Sequence, residues 1–204
     1  SLGLLYSAMT SYVGFKVNSG EYKLMGLAPY GKPKYSTLIR DNLIDINADG
    51  RFRLNMNYFD FPISKMMTNH RFEELIGFPA RDPESEIRQC DVDLASSIQE
   101  VTEEVVLRLA SLAHELVGSD RLCLAGGVAL NCVANGRLLR EGPFSEVWVQ
   151  PDAGDAGGAL GAALLHSYSD PAAGADSPRR SGTDSMKGAL LGDHFSSADV
   201  KLTL

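Results

Sequence analysis

Apolar positions recur along the chain at two periods, and each period predicts an element. From Asp91 onward Leu94, Ile98, Val101, Val105, Leu109, Leu112 and Leu116 follow at steps of three and four, the stripe of a core helix about six turns long. Glu104 and Arg108 form a favourable i,i+4 pair on another face of it. The opening stretch repeats the helical step with Leu2, Leu5, Met9 and Val13, so an amphipathic helix is expected there. A shorter helix is predicted in "GEYKLMGLAPYGKP", where Asn18, Ser19 and Gly20 precede it and Pro29, Gly31 and Pro33 end it. The period changes to two in "LIDINADGRFRLN", two alternating runs around Asp49 and Gly50 that predict a tight hairpin. From Phe61 to Cys90 the pattern is mixed, with a helix expected around Phe72 to Ile76 ahead of the Pro-broken stretch "FPARDPESE".

A composite pattern follows the long helix. The run "RLCLA" meets Gly126 and Gly127 and restarts as a helix through Leu139; then "EVWVQ" meets a second glycine-rich turn, "PDAGDAGGALGAALL", and again becomes helical. Strand, glycine turn and helix in tandem predict parallel strands joined by right-handed crossovers, an α/β class. Both turns then lie at the carboxyl edge of one sheet. Free helix N–H groups and dipole ends point into a crevice there, and small turns let a phosphate come close. An anionic, phosphate-bearing ligand is expected. The competing reading is that the glycines serve only tight strand-to-helix turns. Neither a G-K-[ST] P-loop nor a G-x-G-x-x-G fingerprint is present.

Asp152 and Asp155 in the second turn add a cation to the picture. A carboxylate beside a phosphate is repulsive unless a metal lies between them, so a metal site is implied, with Asp155 otherwise capping its helix at a gain of ~1 kcal/mol. His70, His114, His166 and His194 are scattered at no ligand spacing. His114 is placed on the exposed side of the long helix, and all four read as structural or solvated.

Composition sets limits on partners and setting. The 204 residues are 44% hydrophobic and 22% charged, enough for one sizeable core with an appendage. The formal charge of -7 gives no basic footprint for nucleic acid or an anionic membrane. Cys90, Cys123 and Cys132 make neither a disulfide framework nor a zinc cluster, and no apolar run approaches the roughly 20 residues of a membrane span. A reducing, cytoplasmic setting is expected. The chain starts without Met inside a helical pattern, so it reads as a piece of a longer protein.

The stretches "GEYKLMGLAPYG", "DLASSIQE", "LAGGVALNCVANG" and "PDAGDAGGALGAAL", in that order, closely resemble the NodU/CmcH carbamoyltransferases, which carbamoylate hydroxyls of antibiotics and nodulation factors. The resemblance spans residues 1 to about 166. It implies an RNase H-like lobe, a mixed sheet with flanking helices, of the kind duplicated in actin, sugar kinases and chaperone ATPases, this chain being the second lobe. By the same resemblance Gly20 and Glu21 meet the ribose of ATP or a carbamoyladenylate, Lys23 lies nearer the phosphates, and Gly126, Gly127 and Asn131 lie by the nucleotide. Asp155 matches the family's metal-binding aspartate, for Fe(II) or another divalent metal, and Asp152 is a weaker second choice. The remaining metal ligands, a His-x-x-x-His from the first lobe, and a YrdC-like domain that makes carbamoyladenylate from carbamoyl phosphate and ATP, are partners this chain does not contain. No general base is nominated. Residues 167–188 read as a flexible linker rich in Pro, Gly, Ser and Asp, and residues 189–204 as the start of the connection to the YrdC-like domain, with Gly192 and Asp193 where the family has Gly-Pro. The alternatives are a nucleotide-dependent kinase or ATPase of the same superfamily, and a non-catalytic interaction domain.

Overall fold

The computed structural model describes residues 1–169, 189 and 192–203. It is a mixed α/β protein that divides into two compact units, Ser1–Asp155 and Ala156–Leu204. The expected linker falls largely on residues 170–188, outside the described residues.

The first unit is organised on α5 (Gln89–Val117), the helix announced by the stripe of threes and fours. Leu94, Ile98, Val101 and Val105 on it are fully buried. The stripe then runs out of partners, and Leu116 is 76% exposed. Against α5 pack α1 (Leu2–Tyr12), α2 (Glu21–Leu27), α3 (Ser36–Asn42) and α6 (Cys132–Glu141). α1 is buried beyond the one face its amphipathic pattern predicts: Leu5, Tyr6, Ser7, Ala8, Met9 and Thr10 are all buried, so it is enclosed on nearly every side. Short polar side chains make this tolerable, as when the Thr10 hydroxyl donates to the Tyr6 carbonyl at 2.9 Å. α4 (His70–Ile76) occupies the expected place, its start set by Asn69, whose side chain accepts from the Arg71 and Phe72 amides.

Among the described residues two separate two-stranded sheets take the place of the single mixed sheet expected. β1 (Ile44–Ile46) and β2 (Phe52–Leu54) are antiparallel. Their connection is longer than a two-residue turn: Asn47 and Arg51 close it with an amide-to-carbonyl bond of 2.8 Å, leaving a three-residue loop that ends on Gly50. β3 (Arg121–Leu124) and β4 (Glu146–Val149) are parallel, with α6 as the crossover between them. Their inner residues Leu122, Leu124 and Val147 pack on Ala110, Leu138 and Phe144 in a second small core. On the opposite face Cys123 and Trp148 stand side by side in register and are exposed.

In the second unit α7 (Gly157–Ser169) and α8 (Ser197–Thr203) are the helices among the described residues. Ser196 and Asp199 cap the start of α8 reciprocally: the Ser196 amide donates to the Asp199 carboxylate at 2.8 Å, and the Asp199 amide to the Ser196 hydroxyl at 3.2 Å. No described helix is long and apolar enough to cross a membrane.

Candidate functional site

β3 ends at Leu124 and β4 at Val149, and being parallel they deliver both glycine turns to the same edge. Gly126 sits at φ +96°, ψ 158°, a conformation open in practice only to glycine. Its amide donates across to the other loop, to the Ala153 carbonyl at 2.6 Å. A 3-10 turn, Gly127–Leu130, follows, and then Asn131 caps α6 by accepting from the Ala134 amide at 3.0 Å.

This local geometry leaves donors free. Among the described residues the amides of Gly127 and Val128, at the start of the 3-10 turn, and of Cys132 and Val133, at the start of α6, have no hydrogen-bond acceptor. Gly127 is exposed, and no atom lies within 4 Å of where its Cβ would stand. Beside the turn opens a cleft of about 460 Å³ whose lining includes Gly126, Gly127, Val128, Leu109, Leu124 and Leu138. Of the four, Gly127 and Val128 line this cleft, whereas Val133 lines a second cavity with Met25 and Gln99; an apolar cleft with free N–H groups at its edge is a place where an anion can replace water.

Asn131 itself is directed inward. It is 8% exposed, and its amide makes a reciprocal pair with Gln99, donating to Gln99 Oε1 at 2.9 Å and accepting from Gln99 Nε2 at 3.1 Å. Gln99 also accepts from the Tyr6 hydroxyl at 3.0 Å and donates to Glu103 at 2.9 Å. Burial, with the Glu103 carboxylate nearby, pushes the Tyr6 hydroxyl well above its ordinary range, so it stays a neutral donor.

Glu21 opens α2 with its carboxylate already engaged. Oε1 accepts from the Ser7 hydroxyl at 2.7 Å and the Asn18 amide at 3.0 Å, and Oε2 accepts from the Gly20 amide at 3.2 Å. Partial burial works to raise its pKa, but these donors together outweigh it and hold the carboxyl below its ordinary value. Gly20 is required by closeness: a Cβ there would lie 2.6 Å from the Lys16 carbonyl. Lys23 is exposed, with its ammonium 5.9 Å from the centre of the Phe15 ring.

Asp152 and Asp155 are both exposed, and the Asp155 carboxylate accepts no hydrogen bond among the described residues. A free carboxylate suits a hard or borderline divalent cation as one ligand. It does not make a site, for among the described residues no group of three His, Cys, Asp or Glu side chains could hold a metal. His114 is half-buried instead of exposed: its ring stands edge-on to Phe144 at 5.4 Å, and Nδ1 lies 3.0 Å from the Ser119 carbonyl. His70, His166 and His194 are exposed.

Tyr6, Ser7 and Gln99, which hold the proposed contacts from behind, escape sequence reasoning. The available signal was Gln99, a polar residue four positions after buried Ala95 and three before buried Thr102, inside the apolar face of α5.

The crossover and the glycine turns belong to a mixed α/β protein. The family model of the carbamoyltransferase N-terminus matches residues 1–164, and the chain belongs to this family. An uncharacterised protein of Synechocystis sp. is 58% identical over the whole chain and a third of its own length. The nodulation protein NolNO of Sinorhizobium fredii is 39% identical over 82% of the chain and 23% of the relative. The nodulation protein NolO of Bradyrhizobium diazoefficiens is 37% identical over 81% of the chain and 28% of the relative. The chain thus spans a third or less of these relatives.

Proposed function

We propose that the protein is part of an O-carbamoyltransferase and supplies the second, RNase H-like lobe of an actin-like domain that holds a carbamoyladenylate. The supporting observation is the cradle at the carboxyl edge of β3 and β4. Gly126 is held at positive φ, and the N–H groups of Gly127 and Val128, which line the cleft, lack acceptors among the described residues, donors suited to the adenylate phosphate. Glu21, kept ionised by its neighbours, offers its remaining lone pairs to the ribose hydroxyls, and Lys23 offers charge to the phosphate.

In the transfer step an acceptor hydroxyl oxygen attacks the carbamoyl carbon. The bond from that carbon to the phosphate oxygen breaks, AMP leaves, and the hydroxyl proton passes to solvent. The free amides stabilise negative charge as it gathers on the departing phosphate. Asp155 is one ligand for a divalent metal, iron by resemblance, which when bound would polarise the carbamoyl carbonyl. The first lobe of the same protein completes that ligand set, and its YrdC-like domain forms the adenylate from carbamoyl phosphate and ATP. The acceptor class is a hydroxyl of an oligosaccharide or secondary metabolite, a nodulation factor being favoured because NolNO and NolO are nodulation proteins.

The test is product analysis on the full-length protein with ATP, isotopically labelled carbamoyl phosphate and a chitooligosaccharide among a panel of hydroxyl acceptors. A labelled carbamate ester formed together with AMP is expected. Release of ADP with no carbamoylated product would replace this reading with a kinase or ATPase.

A further inference from the structure

Asn131 ends the glycine turn and begins α6, so the orientation of the free amides on either side depends on what holds it. Its backbone is tied locally, the amide donating to the Val128 carbonyl at 2.9 Å and the carbonyl accepting from the Asn135 amide at 3.0 Å. Its side chain is tied from a distance by Gln99, thirty-two positions earlier on α5.

We propose that Gln99 is a positioning residue of the nucleotide site, setting the phosphate-facing turn through its paired amide with Asn131. The inference rests on the carbamoyladenylate reading and goes further, because it moves Asn131 from ligand contact to the inner wall.

Gln99 is 5% exposed, and its bonding capacity is used in full. The carbonyl oxygen accepts from Tyr6 and Asn131, and the two amide hydrogens go to Asn131 and Glu103. Rotating either amide by half a turn would set donor against donor, so each fixes the other's orientation. The restraint continues outward. Glu103 pairs with Arg137 on α6 at 3.2 Å, and Arg137 with Glu141 at 2.9 Å. Asn135, also on α6, donates to the Ala129 carbonyl in the 3-10 turn at 2.7 Å. The turn is thereby held at Ala129 and Asn131 while the amides of Gly127 and Val128 stay unbonded. Donors oriented before the ligand arrives lose little freedom on binding, which is how a buried network acts on affinity without touching the ligand.

The same network reaches the other proposed contact. Tyr6 and Ser7 are neighbours on α1; Tyr6 donates to Gln99 and Ser7 to Glu21. One turn of a buried helix therefore supports both the phosphate side and the ribose side of the site.

The experiment uses the full-length protein with ATP as the probe, measuring dissociation constants by titration calorimetry for wild type, Gln99→Leu and Gln99→Glu. Gln99→Leu keeps the volume and removes all four bonds; it is expected to weaken ATP binding by about tenfold or more while leaving the KM for the hydroxyl acceptor unchanged. Gln99→Glu cannot donate to Asn131 while ionised, so its ATP affinity should recover as pH falls from about 8 to about 6, a recovery absent from wild type and from Gln99→Leu. That profile separates positioning from a general loss of stability. If Gln99→Leu fails to fold, the pH profile of Gln99→Glu decides. Wild-type ATP affinity in folded Gln99→Leu, or a flat profile for Gln99→Glu, would overturn the proposal. Gly127→Ala and Glu21→Gln run in parallel: if neither weakens ATP binding, the nucleotide reading itself falls; if they do and the Gln99 variants do not, only the positioning role falls.

Discussion

The Gly126 amide donates to the Ala153 carbonyl at 2.6 Å, so the turn that leaves β3 is fastened to the turn that leaves β4. The parallel pairing of Leu124 with Val149 brings the two chain reversals level, so that the Gly126 N–H spans the gap, and its positive φ sends the chain on into the 3-10 turn. The bond consumes the donor of the first glycine and leaves the donor of the second free. The two adjacent glycines therefore differ, the first held in a glycine-only conformation and the second carrying an open, unbonded amide.

That division predicts opposite responses to alanine. Gly126→Ala adds no clash, since nothing lies within 4 Å of its Cβ, but it forces a side-chain-bearing residue into a glycine-only region at about 1–3 kcal/mol. Gly127→Ala meets no atom and no positive φ, so its folding stability should stay within about 0.5 kcal/mol of wild type. Urea denaturation of the 204-residue chain measures both. In the full-length protein Gly127→Ala should nevertheless weaken nucleotide binding, because the methyl group occupies the approach to its amide. A Gly127→Ala protein of unaltered stability and unaltered affinity would leave the turn a purely structural one.

The Glu21 carboxyl carries a pH signature. Its folded pKa lies below the ordinary value of 4.5, so between the two values the unfolded chain binds the extra proton. The stability contributed by the Ser7, Asn18 and Gly20 hydrogen bonds is thus fully present above about 4.5 and is lost as pH falls through the folded pKa. Glu21→Gln has no proton to take up and should flatten that part of the acid limb, read from urea midpoints between about pH 7 and about pH 3. In the full-length protein the same substitution should cost about 1.5–3 kcal/mol of adenylate binding, as a charged hydrogen bond does. Unchanged affinity would remove Glu21 from the ribose site.

How much of this was legible depended on how far apart in the chain the partners lie. α5 could be read because its apolar stripe faces the core from Leu94 to Val105 without a break, and the β3–α6–β4 unit because glycine marks each reversal. α3, at seven residues, is too short to show a period. The enclosure of α1 was hidden for another reason: Ser7 and Thr10 look like a polar face, and only the packed structure shows them buried. Gln99 and Asn131 are thirty-two residues apart and Tyr6 and Gln99 ninety-three, and a hydrogen bond over such a separation leaves no local pattern. Arg81 is similar, buried at 6% exposure with its guanidinium donating to the Val13 carbonyl at 2.7 Å. Among the candidate residues, Gly126 and Gly127 stand out in the sequence as the break between strand and helix, whereas the side chains behind Asn131 and Glu21, namely Tyr6, Ser7 and Gln99, do not.

Asp155 offers a substitution that separates function from stability. Its carboxylate is exposed and has no partner among the described residues, so Asp155→Asn should alter the urea midpoint of the 204-residue chain by no more than a surface change does, within about 0.5 kcal/mol. In the full-length protein the same change should lower metal content and carbamoyl transfer together, checked by elemental analysis alongside turnover. Wild-type turnover in a metal-replete Asp155→Asn protein would refute its role as a ligand.

The 204-residue chain alone should hold no tightly bound divalent metal. A closed transition-metal site takes about four ligands, and a catalytic one about three from protein, whereas no three His, Cys, Asp or Glu side chains converge among the described residues. Asp155 is free but single, and Cys123 and Cys132, though exposed, belong to no such group. A lone carboxylate in water competes poorly with hydration, so affinity should be weak and lost on dialysis. Without a complete metal site or a source of activated carbamoyl group, the isolated chain should transfer no carbamoyl group to any acceptor. Purified chain dialysed against iron or manganese and assayed by elemental analysis, then incubated with ATP, carbamoyl phosphate and an acceptor panel, tests both statements. A stoichiometric metal that survives dialysis, or an acceptor carbamoylated above a no-protein control, would show that ligands or chemistry unrecognised in this fold reside within these residues.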